Sequence, residues 1–211
     1  MSSGNVKSNV KSIDKKTGIN ILTFILYDGY TVIDEVKMNN QVMNNLDINI
    51  KITDESDLDN ILSLWNNGNV MKYVGFPNGL GYDRIKINEW YENIVQTKRF
   101  IHYSIYTENG AYCGETGYAE GRMRDGNMGI DIKLLPEAQG KGIAEFTVRF
   151  IINHIKKHNI AESVWVDPHQ DNAKAMKLYK KLGFVVKEFP SYLSDENDGE
   201  HVYMELSIIE Y

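Results

Sequence analysis

Apolar residues recur along the chain with two periods, and these periods predict its elements. Strand-like runs cover residues 19–26 and 30–38, and the pair Asp28-Gly29 between them favours a tight turn, so we predict a hairpin. Residues 48–52 alternate as another strand, and a helix is predicted to follow as far as about Trp65. A glycine-rich loop then leads to a second predicted helix near residues 83–96.

The second half of the chain predicts a meander and then alternating strands and helices. Three consecutive strands are predicted at 100–106, 111–123 and 128–135, followed by a long amphipathic helix at 140–158. A strand at 163–166, a helix at 172–182 and strands at 184–188 and 201–207 complete the pattern. This order indicates an α/β (α+β) domain with a mixed central sheet and helices on both faces.

Composition and polarity divide the chain into a short extension and one domain. Residues 1–45 hold a polar lead-in and the predicted hairpin, and residues 46–211 are long enough for one well-buried domain. Apolar content of 42% and charged content of 25% are those of a soluble globular protein. No apolar run approaches the ~20 residues that cross a bilayer, and no signal-peptide pattern opens the chain. We therefore expect a cytoplasmic protein without a membrane partner.

Charge and cysteine content narrow the possible partners. The formal net charge of −6 argues against general nucleic-acid binding and leaves room for a cationic substrate. A lone Cys113 excludes an internal disulfide and fits a reducing compartment. We expect a monomer or a homodimer with a small-molecule substrate.

The hexapeptide QGKGIA at residues 139–144 lies where a predicted strand ends and the long helix begins. Two glycines allow a tight turn, and the free N–H groups of the first helical turn favour an anion such as a pyrophosphate. A P-loop is excluded because Gly142 follows Gly140-Lys141 where a Ser or Thr is required. A dinucleotide fingerprint lacks its third glycine and its first-strand context.

The acetyltransferase turn Gln/Arg-x-x-Gly-x-Gly/Ala fits at each fixed position, and a second motif, NAKAMKLYKKLGF at residues 172–184, lies one strand further on. With both motifs in order, the chain resembles the GNAT superfamily of N-acetyltransferases from about residue 46 to residue 207. The resemblance implies the GNAT fold, with the hairpin as an N-terminal addition. It also implies direct acetyl transfer from acetyl-CoA to a primary amine, without a metal.

The resemblance also implies a role for individual residues. Leu134 and Leu135 would pair with the pantetheine arm, Asn172 would hydrogen-bond it, and Tyr179 would sit beside the thioester sulfur. The backbone N–H groups of the turn would hold the pyrophosphate of CoA; these belong to Gln139, Gly140, Lys141, Gly142, Ile143 and Ala144.

Acetyl transfer to an amine needs a group that accepts a proton and a group that protonates the departing thiolate. Tyr179, with an ordinary phenol pKa of ~10, can donate that proton; its alternative role is that of a core residue on an apolar helix face. Asp131 and Asp167 lie in Gly-Ile-Asp and Asp-Pro segments that resemble those of aminoglycoside 6′-N-acetyltransferases. In that group the first aspartate takes the amine proton and the second binds the cationic acceptor.

Several alternatives stay open. Asp131 could be a strand-end residue facing solvent, Asp167 could cap a turn, and Glu115 and Glu120 are further candidates for the base. The loop at residues 66–82 lacks the paired tryptophans expected near an aminoglycoside. We expect an acetyl-CoA-dependent N-acetyltransferase acting on a small polycationic amine, with an aminoglycoside, and hence antibiotic resistance, as the sharpest candidate. A protein N-terminal or lysine acetyltransferase and a non-catalytic, regulatory CoA-binding module are the alternatives.

The pair His154 and His158 has i, i+4 spacing, but Ile155 stands where a zinc protease needs glutamate. We therefore place both histidines on a helix surface.

Overall fold

A computed structural model describes residues 12–14, 19–27, 30–38, 48–97, 100–124, 126–196 and 199–209. Within these ranges one ten-stranded sheet has the order β1-β2-β3-β4-β5-β6-β7-β8-β10-β9. The β7–β8 pair is parallel and the other pairs are antiparallel, so the sheet is mixed, as predicted. The strands in chain order are β1 Ser12–Asp14, β2 Ile19–Tyr27, β3 Tyr30–Met38, β4 Ile48–Ile52, β5 Phe100–Thr107, β6 Tyr112–Arg124, β7 Asn127–Leu134, β8 Ser163–Val166, β9 Val185–Val186 and β10 Met204–Ser207.

Five α-helices and four short 3-10 turns connect these strands within the described ranges. The first 3-10 turn leads into α1 and starts with a capping box, in which Asp54 accepts from the N–H of Ser56 and Asp57 accepts from the N–H of Asp54. The helices are α1 Leu58–Trp65, α2 Gly68–Met71, α3 Arg84–Thr97, α4 Ile143–Lys157 and α5 Ala173–Lys181. The 3-10 turns are Glu55–Asp57, Lys72–Val74, Pro136–Ala138 and Ser191–Glu196.

The helices cover both faces of the sheet, as the sequence predicts. On one face the apolar sides of α4 and α5 pack on the strands in the main core, which includes Ile130, Ile151 and Val166. On the other face α1, α2 and α3 pack around Leu64 and Trp65 in a second cluster. We call these the α4–α5 face and the α1–α3 face. The fold class predicted from the sequence is confirmed.

The strands predicted as an N-terminal hairpin, β2 and β3, pair antiparallel and extend the sheet through β4. The predicted turn at Asp28-Gly29 lies outside the described residues. β1 occurs within the segment described above as a polar lead-in, for which no strand was predicted. The division into an extension and a domain at residue 45 stays a prediction.

Some boundaries differ from the expectation for local reasons. α4 begins at Ile143 rather than 140, because Gly140 and Gly142 have φ values of 75° and 85°, which a right-handed helix does not accept. β10 begins at Met204 rather than 201, because His201 forms an isolated bridge with His169 instead. The short α2 was not predicted, since four residues give too little pattern to detect.

The placement of His154 on a helix surface is wrong. Its side chain is only 3% exposed, and its Nε2 lies 3.0 Å from the Tyr118 hydroxyl oxygen. Burial, with smaller contributions from His158 and Lys157, lowers the pKa of His154 to about 3. His154 therefore stays neutral in the folded protein at pH values where it is protonated in the unfolded chain.

This pKa shift predicts acid sensitivity. Because the unfolded chain binds a proton at His154 below its ordinary pKa of ~6.5 and the folded protein does not until pH falls to about 3, stability declines as pH falls through that window. We expect the free energy of unfolding to drop by about 2 kcal/mol between pH 7 and pH 5 from this residue. Urea unfolding of the protein and of a His154→Gln variant at both pH values measures it; an equal drop in both would contradict the assignment.

Candidate active site

The turn between β7 and α4 has the shape of an anion site. Gly142 is the residue preceding α4 and carries no side-chain cap, so the N–H groups of the first turn, including those of Ile143 and Ala144, have no partner from the helix itself. A Cβ added at Gly140 would meet no atom within 4 Å, so the space above the turn is open. The positive end of the helix dipole points into that space. The turn therefore fits a pyrophosphate.

The one acidic residue in the first turn of α4 is neutralised. Glu145 lies 2.5 Å from Lys181 Nζ and 3.2 Å from Arg149 Nη2. The hydrogen bond from Lys181, helped by Arg149, holds the pKa of Glu145 below its ordinary value. Because two cations offset this carboxylate, it does not set a net negative charge against a bound phosphate.

The side chain of Gln139 connects three parts of the site. Its amide nitrogen donates to the Leu134 carbonyl oxygen at 3.2 Å, and its amide oxygen accepts from Lys174 Nζ at 3.2 Å. The strand end, the turn and α5 are thus held together by one side chain. The sequence argument gave Gln139 only a backbone role and did not identify Lys174, although its ammonium lies at the edge of the turn.

β7 and β8 separate at the centre of the sheet. They pair from Asn127 with Ser163 to Gly129 with Trp165, and β7 then continues alone on that side to Leu134. The N–H of Leu135 donates to the Cys113 carbonyl oxygen on β6, at 2.9 Å. Since peptide groups along a strand alternate between its two edges, Leu134 faces the gap and Leu135 does not. The Leu135 N–H is thus already bonded to β6, and the pairing of Leu135 with a pantetheine arm stays a prediction.

α5 carries the two residues of the second motif. Asn172 caps this helix, its Oδ1 accepting from the Ala175 N–H at 3.2 Å, which leaves its amide nitrogen for a ligand. Tyr179 is 6% exposed and belongs to the main core, with its ring centroid 5.4 Å from that of Phe184. The core packing fixes the position of the Tyr179 ring.

Asp131 belongs to a charged cluster on the α1–α3 face. Lys133 Nζ lies 2.6 Å from Asp131 Oδ2 and 3.2 Å from Glu115 Oε1. The Asp131 side chain is 36% exposed, whereas Glu115 is 1% exposed. Two carboxylates thus share one ammonium, and the carboxylate that reaches solvent is Asp131.

Glu115 is held on three sides. Trp65 Nε1 donates to its Oε1 at 2.7 Å, and His102 Nε2 lies 3.2 Å from its Oε2. Burial by itself would raise the pKa of Glu115, but Lys133 first and His102 second outweigh burial and hold the pKa well below its ordinary value. Burial by itself would lower the pKa of Lys133, but Asp131 and Glu115 together outweigh it and raise that pKa. Glu115 is thus the buried, ionised carboxylate of the cluster, whereas Asp131 is the exposed one.

The sequence argument missed Lys133 and His102. On β7 the polar side of the strand holds Gly129, Asp131 and Lys133, and this alternation could have drawn attention to Lys133. The side chain of Glu120, on β6, lies outside the described residues.

Asp167 directly follows β8, at the start of a turn that leads to α5. Two residues further, His169 forms a bridge with His201, and its ring centroid lies 5.8 Å from that of Tyr73. The side chains of Asp131 and Trp165 lie on the same face, since Asp131 is two residues beyond Gly129, the strand partner of Trp165.

The described residues hold no helix long and apolar enough to cross a membrane. Nor does the described part of the chain bring three or more His, Cys, Asp or Glu side chains together as a metal site.

Comparison with known proteins gives one family and a group of similar structures. Residues 49–185 match the acetyltransferase (GNAT) domain. Spermidine N-acetyltransferase from Vibrio cholerae, solved with CoA and spermine, is 21% identical, with a TM-score of 0.62 over 78% of this chain and 97% of that one. A domain from Methanocaldococcus jannaschii DSM 2661 is 17% identical, with a TM-score of 0.63 over 77% and 99% of the two chains. These TM-scores show a shared fold, and sequence identities of this size carry no further conclusion.

Proposed function

Since the chain belongs to the family of GNAT acetyltransferase domains, and is thus an acetyl-CoA-dependent N-acetyltransferase, we propose that its acceptor is a small polycationic amine of the polyamine class. The observation that carries this proposal is the charged cluster on the α1–α3 face, where Asp131 and Glu115 share Lys133. The cluster keeps a surplus negative charge at its exposed end, which favours an ammonium group. The spermine-bound structure of similar fold supports the same class.

The aminoglycoside expected from the sequence is a narrower acceptor within the same charge class. The comparisons support the N-acetyltransferase and a polyamine, and the aminoglycoside has no support beyond the Gly-Ile-Asp and Asp-Pro segments. We therefore place linear polyamines ahead of aminoglycosides.

We assign the donor side to the turn and the free edge of β7. The N–H groups of residues 139–144 would hold the pyrophosphate, Leu134 would hydrogen-bond the pantetheine arm from the strand edge, and Asn172 would do so from α5. Bound there, acetyl-CoA supplies an activated acetyl group and a thiolate leaving group. Tyr179 would protonate that thiolate.

On the acceptor side Asp131 and Asp167 would bind ammonium groups. Asp131 is the exposed carboxylate of the charged cluster, so an incoming ammonium can reach it although Lys133 Nζ lies 2.6 Å away. We propose that Asp131 orients the amine, and that the proton lost by the amine passes this carboxylate on its way to solvent.

A thiol-release assay across amine classes tests the proposal. We expect spermidine and spermine to give kcat/KM at least about tenfold above that of a monoamine, because a second ammonium gains from the second carboxylate. An Asp131→Asn variant should lose most of that preference while its KM for acetyl-CoA stays the same. Faster turnover with lysine-containing or N-terminal peptides would overturn the acceptor class. Release no faster than background with every amine would favour a CoA-binding module.

A further inference from the structure

Tyr73, His169 and His201 form an aromatic cluster, which we call the clasp, that joins two distant parts of the chain. Tyr73 lies in the 3-10 turn after α2, whereas His169 and His201 lie before α5 and before β10. The ring centroids are 5.8 Å apart for Tyr73 and His169 and 5.4 Å apart for His169 and His201. His201 Nε2 also lies 3.4 Å from the Tyr73 carbonyl oxygen, across 128 positions of sequence.

One side of the clasp is fixed by backbone hydrogen bonds. The Gln170 N–H donates to the Glu200 carbonyl oxygen at 2.8 Å, and the Val202 N–H donates to the Pro168 carbonyl oxygen at 2.9 Å. The Asp171 N–H donates to His169 Nδ1 at 3.1 Å, which turns Nε2 towards Glu200. These bonds hold the turn that begins at Asp167 rigidly against the segment before β10.

The other side of the clasp is the loop at residues 66–82, which carries Tyr73 at its tip. Asn66 and Tyr82 close the base through two hydrogen bonds of 2.8 and 2.9 Å between the Asn66 side chain and the Tyr82 backbone. The tip, Lys72–Val74, ends at Gly75 with φ of 87° and leaves Val74 43% exposed. The tip is anchored on the α1–α3 face by the buried Met71, whose carbonyl oxygen accepts from the Phe76 N–H at 3.1 Å, and its contact with His169 and His201 joins it to the turn after β8.

We infer that the clasp positions the acceptor, with Tyr73, His169 and His201 as positioning residues that hold the tip of the loop at residues 66–82 against the turn carrying Asp167. The inference rests on the proposed function, because it takes Asp167 as an acceptor-binding residue. The clasp stands on the acceptor side, since Tyr73 extends from the α1–α3 face, whereas the phosphate turn begins α4 on the opposite face. Loss of the clasp should widen the acceptor site and leave the donor site unchanged.

Steady-state kinetics of a His169→Ala variant test this inference. We expect the KM for spermidine to rise about tenfold and the KM for acetyl-CoA to stay within about twofold, because only the acceptor wall is released. Tyr73→Phe keeps the ring and the carbonyl oxygen of the clasp and serves as the matched control, with kinetics like the parent protein. Combining Tyr73→Leu with His169→Ala should add little, since either change alone breaks the same contact.

Limited trypsin digestion tests whether the clasp holds the loop tip when no acceptor is present. Lys72 is exposed at the loop tip, and His169→Ala leaves the loop sequence intact, so faster cleavage after Lys72 reports release of the tip. If His169→Ala does not fold, Tyr73→Leu, on the surface turn, takes its place in the kinetic test. Unchanged cleavage, or equal rises in both KM values, would overturn the clasp. If the parent protein acetylates no amine but cleavage is faster in the variant, the proposed acceptor fails and the clasp as a structural contact stands.

Discussion

A Tyr179→Phe variant should bind acetyl-CoA normally and turn it over about 10²- to 10³-fold more slowly. The ring stays in the core beside Phe184, so the fold and the KM for acetyl-CoA change little. Only the hydroxyl is lost, and with it the proposed proton donor to the departing thiolate. Thiol release under saturating acceptor measures the effect on kcat.

Tyr112→Phe is the matched control, because Tyr112 is a partly buried tyrosine that packs on the α1–α3 face and has no proposed role in transfer. It should keep turnover within about twofold of the parent protein. Full turnover in Tyr179→Phe would assign Tyr179 to the core alone, which is the alternative that its helix pattern already offered.

A Glu115→Gln variant should lose about 3–5 kcal/mol of stability, because it removes the buried carboxylate beside Lys133 and leaves that ammonium with Asp131 as its remaining carboxylate partner. The shape of the side chain is kept, so the loss reports charge rather than packing. Urea unfolding at pH 7 measures it. Acetylation should also weaken, since Lys133 would then pair with Asp131 alone and cancel its negative charge.

The control is Glu145→Gln, which also removes a carboxylate with two cationic partners, but a carboxylate near the surface. That change should cost less than about 1 kcal/mol. Equal losses in the two variants would mean that burial contributes nothing at Glu115. The pKa of Glu115 is depressed by folding, so its contribution is complete above its ordinary pKa of ~4.3 and declines as pH falls below that value.

The fold was largely predictable because its information is local. The strands at Ile48–Ile52 and Ser163–Val166 have the predicted bounds, since the apolar pattern of each stops at polar residues on both sides. The last strands were predicted too long, because whether a residue such as His201 continues a strand depends on its partner across the sheet. His154 was wrongly placed on the helix surface. The polarity of histidine favours an exposed position, whereas the apolar side of α4 buries this imidazole.

Only the part of the candidate site that depends on local backbone conformation was predictable from the sequence. The glycines at 140 and 142 predict a tight turn before the long helix, and that turn occurs. The charged cluster was not predictable, because Glu115 meets Lys133 only through the register of β6 and β7. The clasp depends on the packing of segments far apart in sequence, for which one chain gives no signal.

Beside the gap between β7 and β8, the backbone of β7 and its side chains have different roles. Beyond Gly129 the peptide groups of Ile130, Ile132 and Leu134 point along the sheet towards the gap, whereas their side chains point out of its plane into the core. In the proposed complex the donor would complete the interrupted sheet as if it were a short extra strand. Recognition of this kind depends on the spacing of peptide groups, ~6.6 Å for every second residue, and not on side-chain identity. The core can therefore change its apolar residues at these positions without altering which donor the strand accepts.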